Sequence, residues 1–363
     1  MALGYGRGGE LSSRPLVGVG ALDGSRAGRD REQRLTLAAG GAGRPIFRCV
    51  WSSRLSSGSG RPIVDLRHLR YFAAVADSLS FTAAAERLGV SQPPLSQQIR
   101  DLEAELGTAL LWRTSRSVAL TPAGTAFLAR ARRILAEVEE ACDEARAVGA
   151  GRTGTLDLGL TGSILAGPLG RLIRCFGVRY PDVLVRLHEM PPGEQPAALH
   201  ARRTDLCFLR APPDDPTLRV VRAWPEAVGV ALPAGHPLAE RAALALSDLA
   251  DEPFVSLRLR DSRFATSLRE ACLAAGFAPR IMQQVVESAS LVNLVAAGLG
   301  VALVPDSIGA LKRPDIAYRP LSGPAPVADV CALYRAPAGA VTENFLGLMR
   351  DELGASSEGS AAP

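Results

Sequence analysis

A short run of uncharged polar side chains has the composition of a surface that reads DNA bases. Gln92, Ser96 and Gln97 stand at the start of a segment that ends on apolar residues, and Arg100 follows one turn later. Glutamine can pair with an adenine edge through two hydrogen bonds, serine can bond a base or a phosphate, and arginine favours guanine or phosphate. Because a recognition helix presents its first turns to the base edges, this segment predicts a DNA-reading helix.

Two arginines follow this segment in a pattern typical of a small wing. Arg113 and Arg116 lie within residues 110–120, which predict two short strands joined by a tight turn. At or near the tip of such a wing, an arginine reaches the DNA backbone or the minor groove. We therefore predict that both arginines contact DNA.

A second group of residues has the chemistry needed to hold a small anion. Thr161 and Ser163 stand where a predicted strand gives way to a helix, and Ser288 and Ser290 begin another predicted helix. The free N–H groups and hydroxyls of helix N-termini favour a carboxylate or another anion. A simple N-cap role for Ser163 and Ser288 is the alternative, and the sequence leaves it open.

Arg210 and Phe264 are added to this predicted effector site. Arg210 ends a predicted strand, where it can pair with an acid, and Phe264 can supply an apolar wall. The alternative for Arg210 is an ordinary charge on the protein surface.

The sequence lacks the motifs of several common enzyme classes. It has no Gly-x-Ser-x-Gly motif in its α/β region, and its four histidines show no metal-ligand spacing. No glycine-rich phosphate loop stands between a strand and a helix. The six cysteines form no Cys-x-x-Cys pair, and their apolar neighbours indicate buried thiols. We expect no catalysis, no cofactor and no metal; the alternative is a hydrolase-like α/β domain fused to a DNA-binding domain.

Three predicted helices position the DNA-reading segment. The first is expected from about 66 to 77, and Ser80 is the expected N-cap of the second. Gly89 is expected to end the second helix in the left-handed conformation, Ser91 to cap the third, and Pro93 to lie in its first turn. Taken alone, this pattern fits an ordinary three-helix bundle with a polar face equally well.

One long helix is predicted over residues 122–148, beginning with Thr121 as N-cap and Pro122 as the first helical residue. An apolar stripe follows one face for about seven turns at 3.6 residues per turn. Since the stripe is too exposed to be the core of one small domain, we expect it to pair with a second copy and form a homodimer. The dimer would place two recognition helices on two half-sites.

From Thr155 onward, short β-rich segments alternate with helices. Strands are expected at 155–160 and 183–187 and near 204–209, 227–232, 282–286, 300–304 and 328–334, with one helix from Ser163 to Tyr180. This alternation predicts parallel sheets with helices on both faces. A break near 223–225 and a return near 320–326 predict two hinged lobes with a ligand cleft at their strand ends.

Charge is distributed unevenly along the chain. Residues 1–63 carry 10 arginines against 4 acidic residues, whereas residues 64–150 carry 10 against 11, so bulk charge does not favour DNA binding by the predicted helices. The Gly-, Arg- and Ser-rich residues 1–63 are expected to be a disordered basic arm or a mis-assigned extension absent from the native protein. Without a secretory leader pattern or an apolar membrane span, we expect a cytoplasmic protein.

Residues 65–124 resemble the DNA-binding domain of LysR-type transcriptional regulators. The motifs that carry the resemblance are LRHLRYF (66–72), SFTAAA (80–85), SQPPLS (91–96) with QI (98–99) and LE (102–103), and LTPAG (120–124). The resemblance extends more loosely to about residue 350. It implies an α+β multi-domain protein with a winged helix-turn-helix, a linker helix and a two-lobed α/β effector domain similar to periplasmic binding proteins.

The same resemblance implies roles for individual residues. Gln92, Pro93, Pro94, Ser96 and Gln97 would face DNA, and Arg116 would be the arginine of the wing. Many members of the family carry Arg where this chain has Gln97, which implies a different preferred DNA sequence. The implied partners are double-stranded promoter DNA, a small effector that is a carboxylate, and further copies in a homotetramer, with contact to RNA polymerase.

The C-terminal residues resemble the branch of this family that senses aromatic-degradation intermediates. The motifs concerned are TGS (161–163), LHEM (187–190), GHPL (235–238), LVAAG (294–298) and VALVP (301–305). Pro191 and Pro192 stand where that branch commonly has a small polar residue that helps to hold the effector. Since proline has no N–H to donate, we expect a ligand other than a muconate-like diacid.

Six segments summarise the predicted domain organisation. They are an extension at 1–63, a winged helix-turn-helix at 64–121, a linker helix and hinge at 122–153, lobe I at 154–223 and 326–353, lobe II at 224–325, and a disordered tail at 354–363.

Overall fold

The computed structural model describes residues 64–114 and 117–358. The predicted extension at 1–63, Arg116 of the predicted wing, and residues 359–363 lie outside the described residues. The last helix continues to Glu358, which lies within the predicted tail.

Three helices open the described chain: α1 (Leu66–Ser78), α2 (Phe81–Leu88) and α3 (Gln92–Leu106). Their shared core includes Phe72, Leu95, Ile99 and Leu102, all 0% exposed. Gly89 ends α2 with a φ of 65°, the left-handed conformation expected from the sequence. The apolar spacing of α3 therefore fixes which of its faces remains outside.

The predicted capping role of Ser91 is wrong. Ser91 precedes α3 in an extended conformation, but its side chain makes no capping hydrogen bond. A capping hydroxyl normally accepts from the N–H of the second or third helical residue. Those residues are Pro93 and Pro94, which have no N–H. The prolines themselves leave fewer orphan donors at this end of the helix.

A small wing and a long helix follow. Strands β1 (Leu111–Arg113) and β2 (Val118–Leu120) pair antiparallel, and α4 spans Pro122–Gly149. Thr121 caps α4 as predicted, since its Oγ1 accepts from the N–H of Gly124 at 2.8 Å. Only glycine fits at 124, because a Cβ there would lie 2.0 Å from the carbonyl oxygen of Leu110.

Lobe I is built on one five-stranded sheet in the order β4-β3-β5-β13-β6. Its strands are β3 (Thr153–Leu160), β4 (Asp182–Glu189), β5 (Leu206–Arg210), β6 (Leu218–Trp224) and β13 (Val330–Arg335). Its helices are α5 (Gly162–Leu165), α6 (Leu169–Arg179), α7 (Gln195–His200) and α11 (Ala340–Glu358). Phe176, Phe208 and Phe345 meet in its core, all 0% exposed.

Lobe II contains a four-stranded sheet in the order β11-β7-β12-β8 and a two-stranded sheet of β10 and β9. The strands are β7 (Val228–Pro233), β8 (Leu244–Ala245), β9 (Pro253–Leu257), β10 (Arg280–Val285), β11 (Ala302–Pro305) and β12 (Ile316–Ser322). The helices are α8 (Arg263–Ala274), α9 (Ser288–Ala296) and α10 (Asp306–Gly309). The chain passes between the lobes after β6 and again before β13.

Two expectations about these lobes are wrong. The sheets are mixed: β13 runs antiparallel to β5 and β6, and β7 runs antiparallel to β11 and β12. The reason is that β13 enters lobe I from the other lobe, so no βαβ crossover fixes its direction. The single helix expected from Ser163 to Tyr180 is divided into α5 and α6 by Gly167 and Pro168, since proline interrupts the helical hydrogen bonds.

Candidate DNA interface and effector cleft

The first turns of α3 form an exposed polar surface. Leu95 and Ile99 are buried and attach the helix to its core, which turns the opposite face outward. Gln92, Pro93 and Pro94 are exposed at the start of that face. The structure therefore brings these predicted DNA contacts together on one surface at the helix N-terminus, where a groove is most easily reached.

The next turn of α3 carries a chain of side-chain hydrogen bonds. Arg100 donates from Nη1 to Oγ of Ser96 at 2.9 Å and from Nη2 to Oε1 of Gln97 at 2.7 Å. Gln97 in turn donates from Nε2 to Oδ1 of Asp101 at 2.7 Å. These hydrogen bonds hold the three polar groups side by side. Both ends of the Gln97 amide are engaged within the helix, so a base contact by Gln97 requires these bonds to be exchanged.

Arg113 lies against α3 and does not project from the wing. Its Nη2 donates to Oε2 of Glu103 at 2.5 Å, and its guanidinium stands 5.1 Å from the centre of the Phe81 ring. Oε1 of Glu103 accepts from the backbone N–H groups of Leu110 and Leu111 at 2.8 and 3.0 Å. Glu103 thus joins the wing to α3, and Arg113 belongs to this junction. Contact between Arg113 and DNA stays a prediction.

The linker helix α4 has an exposed apolar stripe. Its last buried residue is Ala131, and every residue from Arg132 to Gly149 is exposed or half-buried. Ile134 and Val148 on the stripe are 42% and 56% exposed. Such a stripe at heptad-like spacing is typical of a helix that packs against another helix.

Five of the six predicted effector residues line one cavity between the lobes. Lobe I contributes Thr161 and Ser163 after β3 and Arg210 at the end of β5. Lobe II contributes Phe264 from α8 and Ser288 from α9. The sixth, Ser290, is exposed and does not line this cavity. Pro192, which the resemblance placed at an effector-holding position, also lines the cavity. The side chains that the sequence prediction missed are Leu257, Arg258, Asp261, Ser262, Val286, Glu287 and Pro305.

The simple capping roles considered for the two serines are not what the structure shows. Ser163 is the second residue of α5, and the residue before that helix is Thr161. Ser288 is the first residue of α9, which Glu287 precedes. Oγ of Ser163 lies 3.3 Å from Oγ1 of Thr161, so these two hydroxyls stand together at the cavity wall.

Arg210 is buried rather than a surface charge. Its Nε donates to the carbonyl oxygen of Ala328 at 3.1 Å, its Nη1 to Oγ of Ser163 at 3.0 Å, and its Nη2 to Oε2 of Glu226 at 2.6 Å. The guanidinium stands 5.7 Å from the centre of the Phe264 ring. Burial lowers the pKa of Arg210, and the nearby Glu226 carboxylate acts in the opposite direction. The positive charge therefore already has a partner inside the protein.

A second cavity adjoins the first and shares Ser163, Glu287 and Ser288 with it. Its walls also include Glu189 at the end of β4 and Tyr318 on β12. Burial, and then repulsion by Glu189, raise the pKa of Glu287. Sequence reasoning missed both glutamates. The available signal was their position, since Glu189 ends one strand and Glu287 stands directly before a helix.

None of the described helices is long and apolar enough to cross a membrane. No group of three or more His, Cys, Asp and Glu side chains that could hold a metal ion occurs within the same residues.

Known proteins resemble this chain over most of its length. Residues 66–125 match the family described as bacterial regulatory helix-turn-helix protein, lysR family, and residues 149–354 match the LysR substrate binding domain. The regulator AlsR of Bacillus subtilis is 36% identical over 257 residues, covering 70% of this chain and 85% of that protein. BenM of Acinetobacter baylyi is 36% identical over 264 residues, covering 72% and 86%.

Solved structures agree with these sequence matches. The crystal structure of CbnR, a LysR family transcriptional regulator, is 32% identical, covers 79% of this chain and 100% of its own, and gives a TM-score of 0.68. Full-length CbnR complexed with its target DNA gives a TM-score of 0.67 at the same identity.

Proposed function

The chain belongs to the LysR family of bacterial transcriptional regulators, and on that premise we propose which of its residues read DNA and which hold its effector. As a member it is a DNA-binding regulator with a helix-turn-helix and an effector-binding domain. The alternative of a hydrolase-like enzyme is not supported, because the matching families and relatives are transcriptional regulators.

Gln92 and Ser96 are the proposed base-reading residues. Pro93 and Pro94 shape the surface beside them, and Gln97 and Arg100 read a base or a phosphate once their mutual hydrogen bonds are exchanged. The exposed first turns of α3 are the observation that carries this proposal. Arg116 is proposed as the wing contact from its sequence position alone. Arg113 is proposed to contribute less to DNA binding than Arg116, because its guanidinium is paired with Glu103.

Binding as an oligomer is part of the proposal. Pairing of the exposed α4 stripe between two copies gives a homodimer with two recognition helices, and two such dimers give a tetramer on two half-site pairs. A regulator bound at a promoter is placed to contact RNA polymerase. Because its target is chromosomal DNA, we place its action in the cytoplasm.

DNA selection tests this part of the proposal. The full chain is incubated with a random pool of duplexes, and bound duplexes are recovered and sequenced. We expect a paired half-site motif whose spacing matches whole helical turns, since a symmetric dimer requires it. Recovery of random sequence, or equal recovery by a chain without residues 64–121, contradicts the proposal.

The effector is proposed to place a carboxylate in the first cavity. Thr161, Ser163 and Ser288 offer hydroxyls there, and Arg210 offers the hydrogen bond that it now donates to Ser163. Phe264 closes the apolar side. A thermal-shift screen of small organic acids on the full chain tests this assignment. Ser163→Ala should weaken the binding free energy of the best acid by about 1 kcal/mol, the usual net value of one hydrogen bond. If the acid shifts the melting temperature of Ser163→Ala as much as that of the wild type, Ser163 is not part of the site.

A further inference from the structure

Two carboxylates from opposite lobes converge beside Gly162. A Cβ on Gly162 would lie 2.4 Å from Oε1 of Glu189 and 3.9 Å from Oε2 of Glu287. Glu189 belongs to β4 of lobe I, and Glu287 precedes α9 of lobe II. The absence of a side chain at Gly162 therefore makes room for the Glu189 carboxylate, and the Glu287 carboxylate lies nearby.

Among the described residues, neither of these carboxylates has a cation as partner. Within residues 64–114 and 117–358, the ion pairs and side-chain hydrogen bonds do not include Glu189 or Glu287. The cation that lines the same cavity is Arg313, which donates to Asp315 from Nε at 3.0 Å and from Nη2 at 2.6 Å, and from Nη1 to Asn293. The second cavity thus has two carboxylates that no cation of the described residues pairs with, and Glu189 is exposed to solvent.

Ser288 provides a second, independent indication that this space is built for a ligand. It is only 9% exposed, lines both cavities, and its hydroxyl makes no hydrogen bond to any described residue. The hydroxyl of Tyr318, on the wall of the second cavity, is itself buried and has no hydrogen-bond partner among the described residues. Buried polar groups of native proteins normally have partners, so the unpartnered Tyr318 hydroxyl, in the same cavity as the Ser288 hydroxyl, points to a polar group of a ligand.

We propose that the effector carries an ammonium group that binds between Glu189 and Glu287 in the second cavity. This inference rests on the proposed function, in which the first cavity holds the carboxylate of the same molecule. An ammonium has three donors, which suit two carboxylates and the Ser288 hydroxyl. Val292, Ile308 and Ala166 line the second cavity and fit an apolar body. The ligand class is therefore a zwitterion of the amino-acid type.

Binding in this way also joins the two lobes. Glu189 and Glu287 repel one another across the cleft, and a cation between them turns that repulsion into two attractions. The glutamates come from different lobes, so the effector favours an arrangement in which β4 and the start of α9 stay close. A ligand that binds one lobe arrangement more tightly shifts the population toward it.

Matched probes test the ammonium group apart from the carboxylate. Thermal shift and calorimetry on the full chain use L-phenylalanine, L-leucine and L-methionine, the acid made from each by removing the amino group, and the amine made from each by removing the carboxylate. We expect at least one amino acid to stabilise the protein more than its acid and its amine. Glu189→Gln and Glu287→Gln should each lower the affinity for that amino acid about tenfold or more. Each should change the affinity for the deaminated acid little.

Glu270→Gln is the matched control, because Glu270 is exposed on α8 of lobe II and lines neither cavity. It should leave the affinity for every probe unchanged. Stabilisation by the acids alone, or by none of the ammonium-bearing probes, overturns the inference. Equal loss in Glu270→Gln also overturns it, since net charge would then explain the effect. The DNA selection with the same preparation reports separately on the proposed function.

Discussion

Nη2 of Arg210 donates a 2.6 Å hydrogen bond to Oε2 of Glu226, and the two side chains are only 6% and 7% exposed. Glu226 follows β6, where the chain leaves lobe I, and its Oε1 accepts from the N–H of Ser307 at 2.9 Å. The ion pair therefore links the end of β5 to the crossing between the lobes and to the start of α10. Its Ser163 contact places the same guanidinium at the cleft wall.

Removing Arg210 should destabilise the effector-binding domain strongly. Arg210→Met leaves the buried Glu226 carboxylate without its partner, which costs about 3–5 kcal/mol of unfolding free energy. Urea denaturation followed by tryptophan fluorescence measures the loss. Arg222→Met is the control: its ion pair with Asp329 is largely exposed, with Arg222 61% accessible, so a loss of about 0–1 kcal/mol is expected. Equal losses in the two variants would contradict the structural role of Arg210.

Gln92→Ala should weaken operator binding by about 1–3 kcal/mol, because one two-point base contact is lost. Fluorescence anisotropy with the duplex obtained from DNA selection measures the change, and the same titration on a duplex with altered half-sites shows the loss of discrimination. Gln284→Ala makes the same substitution at an exposed position on β10 and should have no effect. Wild-type affinity in Gln92→Ala means that the base-reading assignment of α3 is wrong.

Alanine substitutions at the two glycines of α4 should change the stability of the protein in opposite directions. Alanine normally stabilises a helix relative to glycine by about 1 kcal/mol, and at Gly149 no atom lies within 4 Å of the added Cβ. At Gly124 the Cβ would meet the carbonyl oxygen of Leu110, and overpacking of this kind costs roughly 1–3 kcal/mol. Thermal denaturation of Gly124→Ala and Gly149→Ala measures both changes. Stabilisation by Gly124→Ala would show that the wing and α4 are not packed as described.

Val138→Arg should weaken the proposed dimer by at least about 1.4 kcal/mol, or tenfold in the dissociation constant, because it places a charge on the apolar stripe of α4. Sedimentation velocity over a range of concentrations measures the dissociation constant. Ala136→Arg adds the same charge at an exposed position off the stripe and should leave assembly intact. An unchanged dissociation constant in Val138→Arg would show that the dimer interface does not include this stripe of α4.

Local patterns predicted the DNA-binding region well. The spacing of Leu95, Ile99 and Leu102 identified the buried face of α3, and Gly89 and Thr121 marked helix ends that the structure confirms. Each of these signals lies within a few residues of the feature that it predicts, so one segment of sequence contains all the information needed. Ser91 failed as a cap for an equally local reason, because the two following prolines removed the donors.

The effector cleft was only partly predictable. Residues at strand ends and helix starts, such as Thr161, Ser163 and Ser288, were identified because topology places such positions together at a cleft. Which charges meet there was not predictable. Glu226 neutralises Arg210, and Glu189 faces Glu287 beside Gly162, although the members of each pair are distant in sequence. A cleft expected from the sequence to favour anions therefore contains an acidic half.

The sequence by itself determined the order of the domains, the recognition helix and its outward polar residues, and the long linker helix, because periodicity and capping act over one or two helical turns. Only the tertiary structure decided the partners of Arg113 and Arg210, the antiparallel course of β13, and the convergence of Glu189 and Glu287. Electrostatic interactions depend on distance through space and on burial, and both quantities exist only after the two lobes have folded against each other.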